Sequence, residues 1–211
     1  MVDWMVGQID RTLERLGLTD DTLIIVTSDN GARLTCFDGN DYGHRSCGDW
    51  RGQKADIWEG GHREPFVAAW PGAIPAGSRC DQLICLTDLM ATCAEIVGAE
   101  LPADAGEDSV SMLPLLRGDT DQPTRSALAY HSAGGKFAIR EGDWVYIEAP
   151  SGDDAGEPAW FRTERGAEMH QQVAELHNLA EDVGQCRNVL SEHPDVVRRL
   201  AGRLAEIKLG F

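Results

Sequence analysis

The sequence predicts an α/β fold: a sheet covered by helices, followed by a small antiparallel sheet with a helix laid on it. Three observations lead there. Val2, Met5, Val6, Ile9, Leu13 and Leu16 fall on one helical face, and the continuous strand-like run Thr22–Thr27 follows at once. Beyond about residue 126, short apolar runs flank Glu141-Gly142-Asp143, a hairpin signal. Finally, Val196, Val197, Leu200, Leu204 and Ile207 line one side of a closing stretch, Pro194–Leu209.

Taken in order, residues 3–16 are expected to form a helix that ends at Gly17, a natural C′ residue. Thr22–Thr27 reads as a strand, and an apolar run of this kind usually lies in a parallel sheet covered on both faces. Residues 28–56 are polar and rich in Gly, Asp and Asn, and a loop of that length is usually functional. Pro65–Trp70 reads as a second buried strand, closed by Pro71-Gly72. Leu86–Val97 has helical spacing with Thr87 as N-cap and Gly98 at its end. A connector rich in Pro, Asp and Gly runs over 100–124, with a short turn at Met112–Arg117. Ala127–His131, Phe137–Arg140 and Trp144–Glu148 are expected strands, and Pro194 sits where a first-turn proline is tolerated. Two domains are expected, residues 1–125 and 126–211.

Composition narrows the function classes. The 211 residues are 42% hydrophobic and 26% charged, ordinary for a globular chain. No run approaches the roughly 18 apolar residues of a membrane span. A net charge of −16 argues against a nucleic-acid partner, whose phosphates call for clustered Lys and Arg. The six cysteines form no CxxC pair and have no ligand-like spacing with His, so zinc is not expected. Cys85 and Cys93 read as small core residues, while Cys36 and Cys47 flank a polar loop and could bridge. No basic or apolar leader precedes the first helix, so the chain as given carries no signal peptide. That leaves a cytoplasmic protein or one whose N-terminus lies upstream, and the compartment stays unknown.

The chemistry concentrates in two stretches. At the end of the first strand stands Ser28-Asp29-Asn30-Gly31. In α/β sheets ligands bind beyond the carboxyl ends of the strands. An Asp carboxylate beside an Asn amide oxygen offers two hard ligands to Ca²⁺ or Mg²⁺, and Gly31 would let the backbone turn behind them. Taken alone, the tetrapeptide is more simply an Asx turn. Ca²⁺ also takes about six to eight oxygens, so other ligands must come from elsewhere. The second stretch is WRGQKADIWEGGHREPFVAAWPG, residues 50–72. Lys54 is a compact point charge suited to an oxygen of a tetrahedral ester, although a lone lysine is usually just surface. Glu59 and Arg63 read as an ion pair clamping the loop, and Trp50, Trp58 and Trp70 as packing residues.

TSDNG, a polar loop and then RGxKxxxxEGGxRxPFxxxWPGxIxxG together resemble the C-terminal half of the sulfatase family, the arylsulfatase-like members of the alkaline phosphatase superfamily. DLMATCAEIVGAELP, LLRGD, KFAIREGDWVYI and AELHNLAEDVGQCRNVLSEHPDVVRRL agree with it along the rest of the chain. The resemblance implies the C-terminal part of a mixed, mostly parallel α/β/α sheet domain, then the small antiparallel sheet and closing helix. It implies a sulfuric ester hydrolase in which Asp29 and Asn30 are ligands of Ca²⁺, alternatively Mg²⁺, and Lys54 contacts the sulfate. His44, between the motifs, would lie within reach of a leaving-group oxygen, against the simpler reading of an exposed loop histidine.

The family's formylglycine nucleophile arises from Cys or Ser in a C/S-x-P-x-R motif, and no Cys-x-Pro or Ser-x-Pro-x-Arg occurs here. The chain is therefore expected to lack the first half of the fold, with its nucleophile, and to be inactive alone. A sulfate ester, as a sulfated sugar or aryl sulfate, is the expected partner. Self-association through an exposed sheet edge is also expected. Two alternatives remain: a non-catalytic interaction module of the same fold, and a related phosphoric or phosphonic ester hydrolase.

Overall fold

A computed structural model describes residues 1–33 and 44–210. Helix α1 covers Val2–Leu16 and stops at Gly17, whose φ of 68° is left-handed and whose N–H donates to Glu14 O. A side chain there would be strained, so glycine is the natural terminator. Strand β1 (Ile24–Thr27) and strand β2 (Phe66–Ala69) form a two-stranded ribbon, with the short helix α2 (Glu59–His62) between them in sequence. The two strands expected in a mostly parallel sheet pair antiparallel with each other, Ile24 opposite Ala69 and Thr27 opposite Phe66. Among the described residues of their connection there is no crossover helix of the length that parallel pairing needs. In β2 half-buried and exposed residues alternate, as on a ribbon covered on one face. The register makes the segment leaving β1 and the segment entering β2 start from the same end of the ribbon.

Helix α3 (Asp88–Val97) ends at Gly98 in the left-handed region, as its sequence predicts. Its start differs from expectation, because Thr87 has helical dihedrals and makes no side-chain cap. Asp88 does that work: its carboxylate accepts from Cys85 N at 2.8 Å and Val110 N at 3.0 Å, and pairs with Arg125. Asp88 and Thr92 are the buried residues of this helix and Cys93 is exposed, the reverse of a core cysteine. Thr92 Oγ1 donates to Asp88 O and accepts from Met112 N, which turns the Asp88–Thr92 face inward. Helix α4 (Leu113–Leu116) follows, with Leu113 and Leu115 buried. Cys36 lies outside the described residues, and with it the expected bridge to Cys47.

Strands β3 (Leu128–His131), β4 (Phe137–Glu141), β5 (Trp144–Ile147) and β6 (Glu175–Asn178) form an antiparallel sheet in that order. Gly142, at φ 58°, closes the β4–β5 hairpin. Helix α5 (Ala159–Arg165) precedes β6, and α6 (Pro194–Leu209) follows it. Val196, Leu200 and Leu204 of α6 bury against Ile139, Tyr146 and Leu176 of the sheet. A second apolar cluster joins Ala138, Val145 and Ile147 to Ile57 and Trp58. The chain thus divides into two compact units. One comprises Met1–Thr27 with Pro65–Arg125, the other Ser28–Glu64 with Ser126–Phe211. No helix among the described residues is long and apolar enough to cross a membrane.

Candidate active site

Asp29, Asn30, His44, Lys54, Glu59 and Arg63 all belong to the second unit, whereas Trp70 belongs to the first. The backbone fastens the motifs together. Gly31 N donates to Gly61 O at 2.9 Å, and Lys54 N donates to Ala32 O at 3.0 Å. Gly31 was expected to permit a turn, but its φ is not positive and the need is steric. A Cβ on Gly31 would stand 2.0 Å from Gly60 O, and one on Gly61 would stand 2.1 Å from Asp56 O. The glycines of DNG and EGG therefore let two backbones touch.

Asp29 is exposed and Asn30 half-buried. Neither side chain has a hydrogen bond or ion pair among the described residues, so both amide and carboxylate oxygens remain available to a cation. Glu64 stands in the same field: burial pushes its carboxyl up, helped by the charges of Glu59 and Asp29. Such a field favours a cation next to Asp29. Asp29 and Asn30 fit as two hard ligands of a divalent ion. Among the described residues, no group of three or more His, Cys, Asp or Glu side chains completes a metal site. Lys54 is exposed and its ammonium has no partner among the described residues. His44 is exposed, and no hydrogen bond among the described residues ties it to Lys54 or Asp29.

What supports these exposed groups is a buried polar scaffold. Arg51 is 6% exposed and grips Glu157 with two bonds of 3.0 and 2.8 Å. Its guanidinium also lies 3.8 Å from the ring centroid of Trp58. Trp58 Nε1 donates to Glu175 Oε2 at 2.8 Å. Despite its burial, the Glu175 carboxyl lies below its ordinary range, because His177, Trp58 and Arg51 favour the charged form. Glu59 and Arg63 form the expected ion pair, and Arg140 of β4 adds a second cation at 3.1 Å. Gln185 Oε1 accepts from Glu59 N at 2.7 Å, fixing the start of α2. Burial holds the His62 imidazole below its usual pKa, so it is neutral near pH 7. Trp50 stacks under Arg63, and Trp70 donates to Asp20 O at 2.9 Å.

Sequence reasoning passed over Arg51, Asp56, Arg140, Glu157 and Gln185. The signal present was the run Arg51-Gly52-Gln53-Lys54-Ala55-Asp56, in which an Arg and an Asp bracket the lysine. Their partners lie about a hundred residues away, beyond any local pattern.

Known proteins resemble this chain over nearly its whole length. Residues 1–99 match the Sulfatase family model. An N-acetylgalactosamine-6-O-sulfatase of Bacteroides thetaiotaomicron is 36% identical over 214 residues, covering 98% of this chain and 40% of the relative. A solved structure from work on metabolism of multiple glycosaminoglycans by the same organism superimposes with a TM-score of 0.83 at 33% identity, over 99% of this chain and 43% of that one. The phosphonate monoester hydrolase of Agrobacterium radiobacter shares the fold, with a TM-score of 0.65 at 22% identity over 99% of this chain and 39% of that one. The chain therefore belongs to the sulfatase family, and it matches the C-terminal part of full-length members, about 40% of their length.

Proposed function

We propose that this chain supplies the metal-ligand pair and the anion-binding lysine of a sulfuric ester hydrolase acting on a sulfated sugar. The observation that carries the reading is the double backbone tie between Gly31 and Gly61 and between Lys54 and Ala32. It holds an oxygen-ligand pair and an ammonium without a partner among the described residues on one support. Asp29 and Asn30 would hold two positions of a Ca²⁺ ion, or Mg²⁺ in its place. The ion, when bound, supplies Lewis-acid polarisation of an ester oxygen. Lys54 would bind a non-bridging oxygen and offset charge as the ester bond breaks. His44 would approach the leaving-group oxygen. The nucleophile belongs to a part of the fold that this chain does not contain, so the chain alone is expected to be inactive. Sulfated amino sugars are the favoured class, since the 36%-identical Bacteroides relative is an N-acetylgalactosamine-6-O-sulfatase.

Calorimetric titration of the chain with Ca²⁺ tests the ligand pair: Asp29→Ala should weaken binding at least tenfold without loss of folding. Ca²⁺ binding unchanged by Asp29→Ala would overturn the assignment. Lys54 is tested in a polypeptide carrying the complete sulfatase fold, where Lys54→Ala should lower kcat by about 10²–10³ on a 6-O-sulfated N-acetylgalactosamine. The shared fold of the phosphonate monoester hydrolase supports a second reading, a phosphonic ester hydrolase. A kcat/KM higher on a phosphonate monoester than on the sulfate ester would favour it.

A further inference from the structure

We propose that Asp56 is a positioning residue for Lys54, its two carboxylate oxygens divided between shaping the lysine's turn and docking that turn on residues 154–155 of the same unit. This rests on the reading of Lys54 as the sulfate contact. Asp56 Oδ2 accepts from Gln53 N at 3.0 Å, closing the turn that carries Lys54. Asp56 Oδ1 accepts from Asp154 N at 2.7 Å and Ala155 N at 2.8 Å. Between Lys54 and Asp56, Ala55 takes a φ of 90°, a left-handed conformation that costs a side-chain-bearing residue energy. Its carbonyl is held by Ala133 N at 3.1 Å. The strained turn thus persists because its neighbours on both sides over-determine it.

The choice of a carboxylate is the informative part. Asp56 is 2% exposed, and among the described residues no cation forms an ion pair with it. An uncompensated charge there is costly, and its pKa is pushed up to about 6, first by burial and further by Asp153, against three backbone N–H bonds that favour the charge. The other titratable groups beside it are Asp154, which is paired with Lys136 at 2.8 Å, and the neutral His62, whose ring bonds the Asp56 backbone.

Above about pH 6 the ionised carboxylate accepts all three N–H donors. Below it a proton occupies one oxygen. Oδ2 serves one donor and Oδ1 two, so the proton goes to Oδ2 and displaces Gln53 N. The dock to residues 154–155 then survives while the Lys54 turn opens. Asp56→Asn reproduces that state permanently, with its amide nitrogen facing Gln53 N. Stability runs the other way. A carboxyl whose pKa is raised on folding loses stability as pH rises from its ordinary value to about 6. Asparagine escapes that loss. A structural role therefore makes anion binding follow stability, whereas a positioning role sets the two in opposition.

The chain has three lysines, Lys54, Lys136 and Lys208, so isotope-labelled dimethylation gives a resolvable NMR spectrum in which Lys54→Arg identifies the Lys54 signal. In the full chain the Lys54 signal should move with a midpoint near pH 6, Lys208 serving as control. In Asp56→Asn it should sit at its low-pH position throughout. Near neutral pH, inorganic sulfate should bind about tenfold more weakly to Asp56→Asn, as expected for one lost hydrogen bond to a charged group, with the thermal midpoint unchanged or higher. A Lys54 titration that survives in Asp56→Asn would overturn the proposal. So would a variant that fails to fold, or one whose sulfate affinity and stability fall together. Sulfate leaving the parent's Lys54 signal unmoved would instead refute the sulfate contact, and the pH comparison would still decide the role of Asp56.

Discussion

At the scale of single residues, the site is defined as much by glycines as by charges. Gly31, Gly60 and Gly61 are buried, and backbone oxygens occupy the space a methyl group would need. Gly31→Ala therefore forces DNG and EGG apart. We expect a loss of about 2–3 kcal/mol in urea unfolding, within the usual range for overpacking a tight contact, together with weaker Ca²⁺ binding. Asp29→Ala should change stability by no more than about 0.5 kcal/mol, as expected for an exposed side chain. Asp29, Asn30 and Lys54 stand out as candidates in the sequence because the motifs that carry them are compact. The reason for Gly31 was not legible there. A turn glycine and a close-approach glycine look alike until the opposing strand of backbone is known.

At the scale of elements, legibility followed the apolar pattern. Helices α1 and α6 and the β4–β5 hairpin bury or present apolar residues at regular spacing, and they appear where that spacing put them. Helix α2 and strand β6 were passed over for physical reasons. Helix α2 reads Glu-Gly-Gly-His, with two residues of poor helix propensity, and is held by tertiary bonds to Glu59. Strand β6 buries Glu175 and His177, which bond each other, so its inward face does not read as apolar. Since contacts rather than propensity hold α2, Glu59→Gln should be costly. It leaves Arg63 and Arg140 without their shared carboxylate, and we expect a loss of about 3 kcal/mol, the lower end for breaking a buried pair. Chemical denaturation measures this. The loss should shrink when Arg140→Met is added, because one stranded cation is removed.

At the scale of the whole molecule, the two units differ in how completely they are covered. Both apolar clusters belong to the unit that carries the site. In the other unit α1 contributes no buried residue at all, and Trp4, Met5, Ile9 and Val67 remain 64%, 51%, 51% and 62% exposed. Strands β1 and β2 form a ribbon of two, and such a ribbon is marginal without further cover. An amphipathic helix beside a ribbon covered on one face only is a surface that another polypeptide would bury. In a solution of this chain alone, the available cover is a second copy. Opposing it is a net charge of −16 on every copy. Salt screens that repulsion, with a Debye length of about 10 Å at 0.1 M, and leaves the burial of apolar surface intact. Sedimentation velocity should therefore show association that increases with both protein concentration and salt. Met5→Glu combined with Ile9→Lys should abolish it while leaving far-UV circular dichroism unchanged. Association that weakened with salt would mean that opposite charges, rather than the face of α1, hold the copies together.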